Sequence, residues 1–85
     1  MNRPIPFASL KAFLDELGFQ VHAVPKSHVA FSHAGSGALI VLRFYQDDEV
    51  VSPTDLAISG RVLDEFGVLG RDEFDTALRE RVLAR

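Results

Sequence analysis

The chain reads as an α+β domain, a three-stranded antiparallel sheet with helices on one face, and three observations predict it. Apolar residues recur at helical spacing from Phe7 to Leu17, and residues alternate between apolar and polar from Phe19 to His33 around a short turn. A well-marked helix start lies at Ser52-Pro53-Thr54-Asp55. Helical stripes on both sides of a run of strands are buried most simply by packing them on one side of a sheet.

The first helix is predicted at about residues 6–17. Phe7, Leu10, Phe13, Leu14 and Leu17 form one stripe, with Lys11, Asp15 and Glu16 on the wet side. Gly18 follows where a left-handed C-cap belongs. Phe19–Val24 and His28–His33 read as half-buried strands. Joining them through Pro25-Lys26-Ser27 pairs Val24 with His28, His22 with Ala30 and Val21 with Phe31. That register gathers Val21, Ala23, Val29 and Phe31 on the inner face. It sets His22 and His28 together on the outer one, and a one-residue slip would mix the faces.

His33-Ala34-Gly35-Ser36-Gly37 is a turn. Ala38–Tyr45 is predicted as the third strand. Its nearly continuous apolar content points to a central strand covered on both faces, or to one partly covered by a partner. Ser52 can cap the next helix, Pro53 suits its first position and Asp55 completes a capping-box-like pattern. Leu56, Gly60, Leu63 and Phe66 or Gly67 follow one side of it. Gly60, costing about 1 kcal/mol relative to Ala, suggests a close approach to the sheet. A third helix resumes at Arg71, with Phe74, Ala77, Leu78 and Val82 on one stripe. Acids lie in its first turn and Arg79, Arg81 and Arg85 toward its end, as the helix dipole favours.

At 85 residues the chain is one domain, and a domain of this size buries only about 60–65% of its unfolded surface. Residues 1–69 are read as carrying the first two helices and the strands, and 70–85 as a further C-terminal helix. With no cysteine, neither a disulfide framework nor a thiolate metal site is available. The longest apolar run, Ala38–Leu42, falls far short of the ~20 residues a bilayer span needs. No signal-peptide core follows Arg3, so a soluble, cytoplasmic protein without membrane association is expected. The net charge of −3 weighs against a nucleic-acid partner unless the nine basic residues are segregated.

Lys26-Ser27-His28 is the stretch that could carry chemistry, and its plain alternative is an exposed strand-start histidine beside a lysine in a turn. An unperturbed histidine titrates near pH ~6.5, so His28 can move a proton at neutral pH, while Lys26 and Ser27 hold phosphate. His22 is a second proton carrier or RNA contact, or simply a solvent-facing strand residue, and His33 belongs to the turn. A metal site is not expected, because His22 and His28 are too few ligands for tetrahedral zinc. Asp47-Asp48-Glu49 reads as a solvated acidic loop. Of Arg43, Phe44 and Tyr45, which could stack on bases, Phe44 is expected in the core and Tyr45 half exposed. No cofactor is expected.

Five segments in order carry a resemblance over about residues 7–69. They are Leu14-Asp15-Glu16-Leu17-Gly18-Phe19, Ser27-His28-Val29-Ala30-Phe31, Ile40-Val41-Leu42, Val51-Ser52-Pro53-Thr54-Asp55-Leu56 and Leu63-Asp64-Glu65-Phe66-Gly67. Together they resemble the HicA-type (YcfA-like) toxin family. The resemblance implies an α-β-β-β-α fold like the double-stranded-RNA-binding domain, here with an additional C-terminal helix. It also implies a metal-independent mRNA endoribonuclease neutralised by a HicB-like antitoxin. His28 matches the family's catalytic histidine, which follows Gly-Ser. The chain departs from the pattern at Lys26, where the family has glycine, and at Val29, where a second histidine is common. It departs again at Asp47-Asp48-Glu49, where basic residues often lie. The alternative is a non-catalytic protein- or RNA-binding module on the same scaffold, and a homodimer is compatible with either.

Overall fold

A computed structural model describes residues 4–24 and 26–83; Pro25 and Arg85, both weighed above, lie outside them. The order is α1 (Phe7–Glu16), β1 (Gln20–Val24), β2 (His28–His33), β3 (Ala38–Arg43), α2 (Pro53–Glu65) and α3 (Arg71–Leu83). The strands form one antiparallel sheet in the order β1-β2-β3, so the α+β reading holds. Among the described residues no helix is long and apolar enough to cross a membrane.

α1 stops because Gly18 takes φ +98°, which lets Phe19 N–H reach back to Leu14 C=O at 3.0 Å and Gly18 N–H to Asp15 C=O at 3.0 Å. The chain is thereby turned into β1 with Phe19 buried. The register is the one the three-residue loop predicts, with Val21 opposite Phe31, His22 opposite Ala30 and Val24 opposite His28. β3 follows with Ala38 opposite His33 and Arg43 opposite His28.

Among the described residues the helices pack on one face of the sheet. There Val29 and Phe31 of β2 and Ala38, Ile40 and Leu42 of β3 join Leu10, Phe13 and Leu14 of α1, Leu63 of α2, and Phe74 and Leu78 of α3. Ser52 caps α2, accepting the Asp55 N–H at 3.2 Å. Arg81 of α3 meets Glu16 of α1 at 2.7 Å, tying the C-terminal helix to the first one.

Several expectations are corrected. β3 is an edge strand, not a central one covered on both faces: its residues alternate buried and exposed, and Leu39 and Val41 face out at 54% and 51% exposure. Ala38–Leu42 is apolar on both faces although the chain covers only one, so apolar content alone misplaced the strand. It also ends at Arg43, which reverses the two aromatics after it, leaving Tyr45 buried and Phe44 half-buried. Val21 and Ala23 share the inner face by register yet stay exposed, because the helical layer leaves the β1 edge open. Phe66 is exposed rather than continuing the α2 stripe. Gly60 makes its close approach to α3: a Cβ there would stand 3.2 Å from Phe74.

Candidate functional site

The uncovered outer face of the sheet carries three cross-strand rows. Gln20, Ser32 and Leu39 form the first, His22, Ala30 and Val41 the second, and Val24, His28 and Arg43 the third. The third row lies at the mouth of the β1–β2 hairpin. There Ser27 N–H donates to Val24 C=O at 3.0 Å, closing the turn, and Lys26 takes φ +64°. That left-handed conformation costs a side-chain-bearing residue roughly 1–2 kcal/mol and suits glycine. Lys26 therefore stands where a backbone argument alone would ask for glycine.

His28 is exposed, and its Nδ1 lies 3.0 Å from Ser27 Oγ. Its Nε2 has no hydrogen-bond partner among the described residues. Ser27 thus fixes one ring nitrogen and leaves the other open to a ligand, the arrangement a proton carrier needs.

The neighbour of His28 follows from the ladder. Phe44 N–H donates to Ser27 C=O at 3.3 Å, so Ser27 and Phe44 are a hydrogen-bonded pair. His28 and Arg43, one position along, must then be a non-hydrogen-bonded pair, the class in which facing Cβ atoms stand only ~4.5–5.5 Å apart. A guanidinium is therefore rooted beside the imidazole. It lies 3.8 Å over the Tyr45 ring and donates to Phe44 C=O at 2.9 Å and to a Glu49 carboxylate oxygen at 2.9 Å.

Hydrogen bonding to Glu49 raises the Arg43 pKa further above its already high value. The Gln46 N–H first, and the Arg43 guanidinium second, hold the Glu49 carboxyl below its ordinary value. Underneath, the buried Tyr45 hydroxyl donates to the Asp55 carboxylate and accepts the Ser52 N–H at 3.0 Å. The platform below Arg43 is thereby joined to the N-terminus of α2.

His22 is exposed on the same face, its Nε2 3.2 Å from Ser32 Oγ. It is diagonal to His28 across the β1–β2 pair, a relation that separates Cα atoms by ~7–8 Å. His33 is different. Its Nδ1 accepts the Ser36 N–H at 3.1 Å, its Nε2 donates to Leu17 C=O at 3.0 Å, and its ring lies 4.8 Å from that of Phe19. With both nitrogens engaged, His33 pins the β2–β3 turn to the end of α1.

His22 and His28 therefore share the outer face in neighbouring rows, and Lys26 and Ser27 lie in the turn that leads into His28. Arg43 and Glu49 were not singled out for this site, although Arg43 was legible: counting back through the four-residue turn from the His33–Ala38 pair sets it opposite His28. Glu49 was not, because its partner is fixed by a loop with no regular register. The acidic loop is not merely solvated, since Asp47 accepts from Lys11 Nζ at 2.8 Å and Glu49 holds Arg43. Among the described residues no group of three or more His, Asp or Glu is placed to hold a metal ion. No family model matches the chain, and neither a curated protein nor a solved structure does.

Proposed function

We propose that this protein is a divergent HicA-like toxin, a metal-independent endoribonuclease acting on mRNA with His28 in proton transfer. The observation that carries the reading is the His28 ring, exposed at the hairpin mouth with Nδ1 against Ser27 Oγ and Nε2 open. In this reaction a base takes the proton of the 2′-hydroxyl, and O2′ attacks the adjacent phosphorus. The P–O2′ bond forms as the P–O5′ bond breaks. The departing 5′-oxygen takes a proton from an acid, leaving a 2′,3′-cyclic phosphate.

His28 supplies one of the two proton transfers. His22, diagonal to it, supplies the second or holds the RNA. Lys26 and Ser27 grip the phosphate, where a cation and a hydroxyl offset the charge that builds on its oxygens. The partners in this reading are mRNA, a HicB-like antitoxin covering the site and a second copy of the chain, all in the cytoplasm.

A second reading, a non-catalytic module that binds protein or RNA through the same face, is favoured by the exposed Leu39 and Val41 and by the net charge of −3. One experiment separates the two. The purified chain is incubated with single-stranded RNA in the presence of EDTA. Cleavage with 2′,3′-cyclic ends, lost in His28→Ala and absent on 2′-deoxy substrate, supports the nuclease. RNA bound but left intact by the wild type selects the module. Growth arrest on expression without an antitoxin, relieved by His28→Ala, is the matching result in cells.

A further inference from the structure

β3 carries the composition of an interior strand at the rim of the sheet. The Phe44–Ser27 ladder bond fixes which of its backbone groups are used. Those of Ile40 and Leu42 point at β2, and those of Leu39, Val41 and Arg43 point away from it. Among the described residues no strand pairs with that far edge.

Natural sheets protect such an edge with lysine, proline, a bulge or an inward charge. Ala38-Leu39-Ile40-Val41-Leu42 has none of these, and Arg43 turns aside toward Glu49. The other edge is unlike it. β1 carries Gln20 and His22 and runs into Pro25.

We infer that the β3 edge is the interface on which a second copy of this chain adds, antiparallel, to make one continuous six-stranded sheet. The self-complementarity of β3 selects the occupant. A two-fold axis at Val41 sets Val41 against its own counterpart and Leu39 against Arg43 of the other copy. Each of these pairs then exchanges a pair of N–H···O=C bonds between groups that point outward in both copies.

The outer faces merge into an apolar stripe of Leu39 and Val41 from both copies. The two Arg43 side chains stand at opposite ends, against leucine and never against each other. Shifting the axis to Leu42 would bring Arg43 next to its counterpart, and shifting it to Ile40 would leave Arg43 opposite Gly37. A one-residue slip would set outward groups against groups already used by β2.

Pairing through one short strand per copy lies at the small end of the interface range, below about 1,200 Å² in total, so the dimer is weak and concentration-dependent. An isologous pair also closes, consuming both β3 edges, whereas head-to-tail pairing of β3 with a β1 edge would give rings or open filaments. The inference does not depend on the nuclease reading.

Because the chain lacks cysteine, one substitution tests both the interface and its register. In the paired sheet the Val41 Cα atoms would face each other at ~5.5 Å, within disulfide reach. Val41→Cys is expected to cross-link on mild oxidation at least about tenfold faster than Thr54→Cys, a control on the exposed start of α2. Leu39→Cys, four residues from its own counterpart's row, is expected to match the control. Wild type is expected to pass from monomer to dimer in sedimentation over roughly a hundredfold concentration range. Val41→Lys, at an exposed position, is expected to stay monomeric with an unchanged circular dichroism spectrum. A wild type that is monomeric throughout overturns the proposal. So do assemblies larger than a dimer, or cross-linking of Leu39→Cys equal to that of Val41→Cys.

Discussion

β2 begins and ends in histidine, and the two rings live differently. His33 has both nitrogens bonded and its ring against Phe19, so it is a strut between the β2–β3 turn and α1. His28 has one nitrogen against Ser27, the other open, and a guanidinium rooted across the ladder. The same side chain on the same strand is structure at one end and available chemistry at the other. What separates them is whether the fold consumes both ring nitrogens. A histidine with a spare nitrogen can exchange a proton with a ligand; one with none can do so only by breaking the fold.

The largest expected effect breaks the comparison at its open end. His28→Ala is expected to lower RNA cleavage at least about a hundredfold, the usual range for losing a general acid or base, with the thermal midpoint unchanged. Loss of stability without loss of rate would make His28 the strut.

His33→Ala is expected to do the reverse. It should cost about 1–3 kcal/mol in urea titration, because Leu17 C=O and Ser36 N–H lose their partner. The cleavage rate per folded molecule should stay unchanged. A neutral His33→Ala would mean that turn and helix hold each other without the ring.

Lys26→Gly sharpens the comparison at the hairpin mouth. Relieving φ +64° is expected to stabilise the protein by about 0.5–1 kcal/mol. Removing the ammonium should weaken RNA binding, seen as a shallower salt dependence. A variant both less stable and equally tight would mean that Lys26 serves the turn rather than a ligand.

The smallest effect concerns Glu49. Its carboxyl is held below the ordinary value of 4.5 by the Gln46 N–H and by Arg43. A group whose pKa is depressed on folding stabilises in full above its unfolded value and loses that contribution as pH falls through the folded one. Urea midpoints are therefore expected to drop slightly more between neutral pH and pH ~3 in wild type than in Glu49→Gln, and the gap should shrink in high salt because the pair is exposed. Parallel curves for the two proteins would show that the loop does not need the Arg43–Glu49 contact.

Much of the fold was legible because its signals are local. The helical spacing from Phe7, the Gly18 C-cap and the Ser52-Pro53 start each depend on a few adjacent residues, and all are observed. The β1–β2 register followed from loop length and alternation together. The site was legible in part for the same reason. Lys26, Ser27 and His28 are neighbours in sequence, and His22 joins His28 on the outer face through that register. Arg43 required a second turn to be counted through, and Glu49 a loop without any period.

The failures share another cause. A central strand and an edge strand are told apart by what lies beside them, which Ala38–Leu42 does not encode. Gly60 announced a close approach, but the sheet was expected to make it and Phe74 of α3 does.

By itself the sequence determined the elements, their order and the shared face on which His22 and His28 emerge, because hydrogen-bond periodicity and turn stereochemistry act over a few residues. Only the tertiary structure decided that β3 stands at the rim, that Tyr45 rather than Phe44 is buried and that His33 is consumed while His28 is spare. Burial and hydrogen-bond satisfaction are sums over everything that comes near in space, and most of those neighbours are distant along the chain.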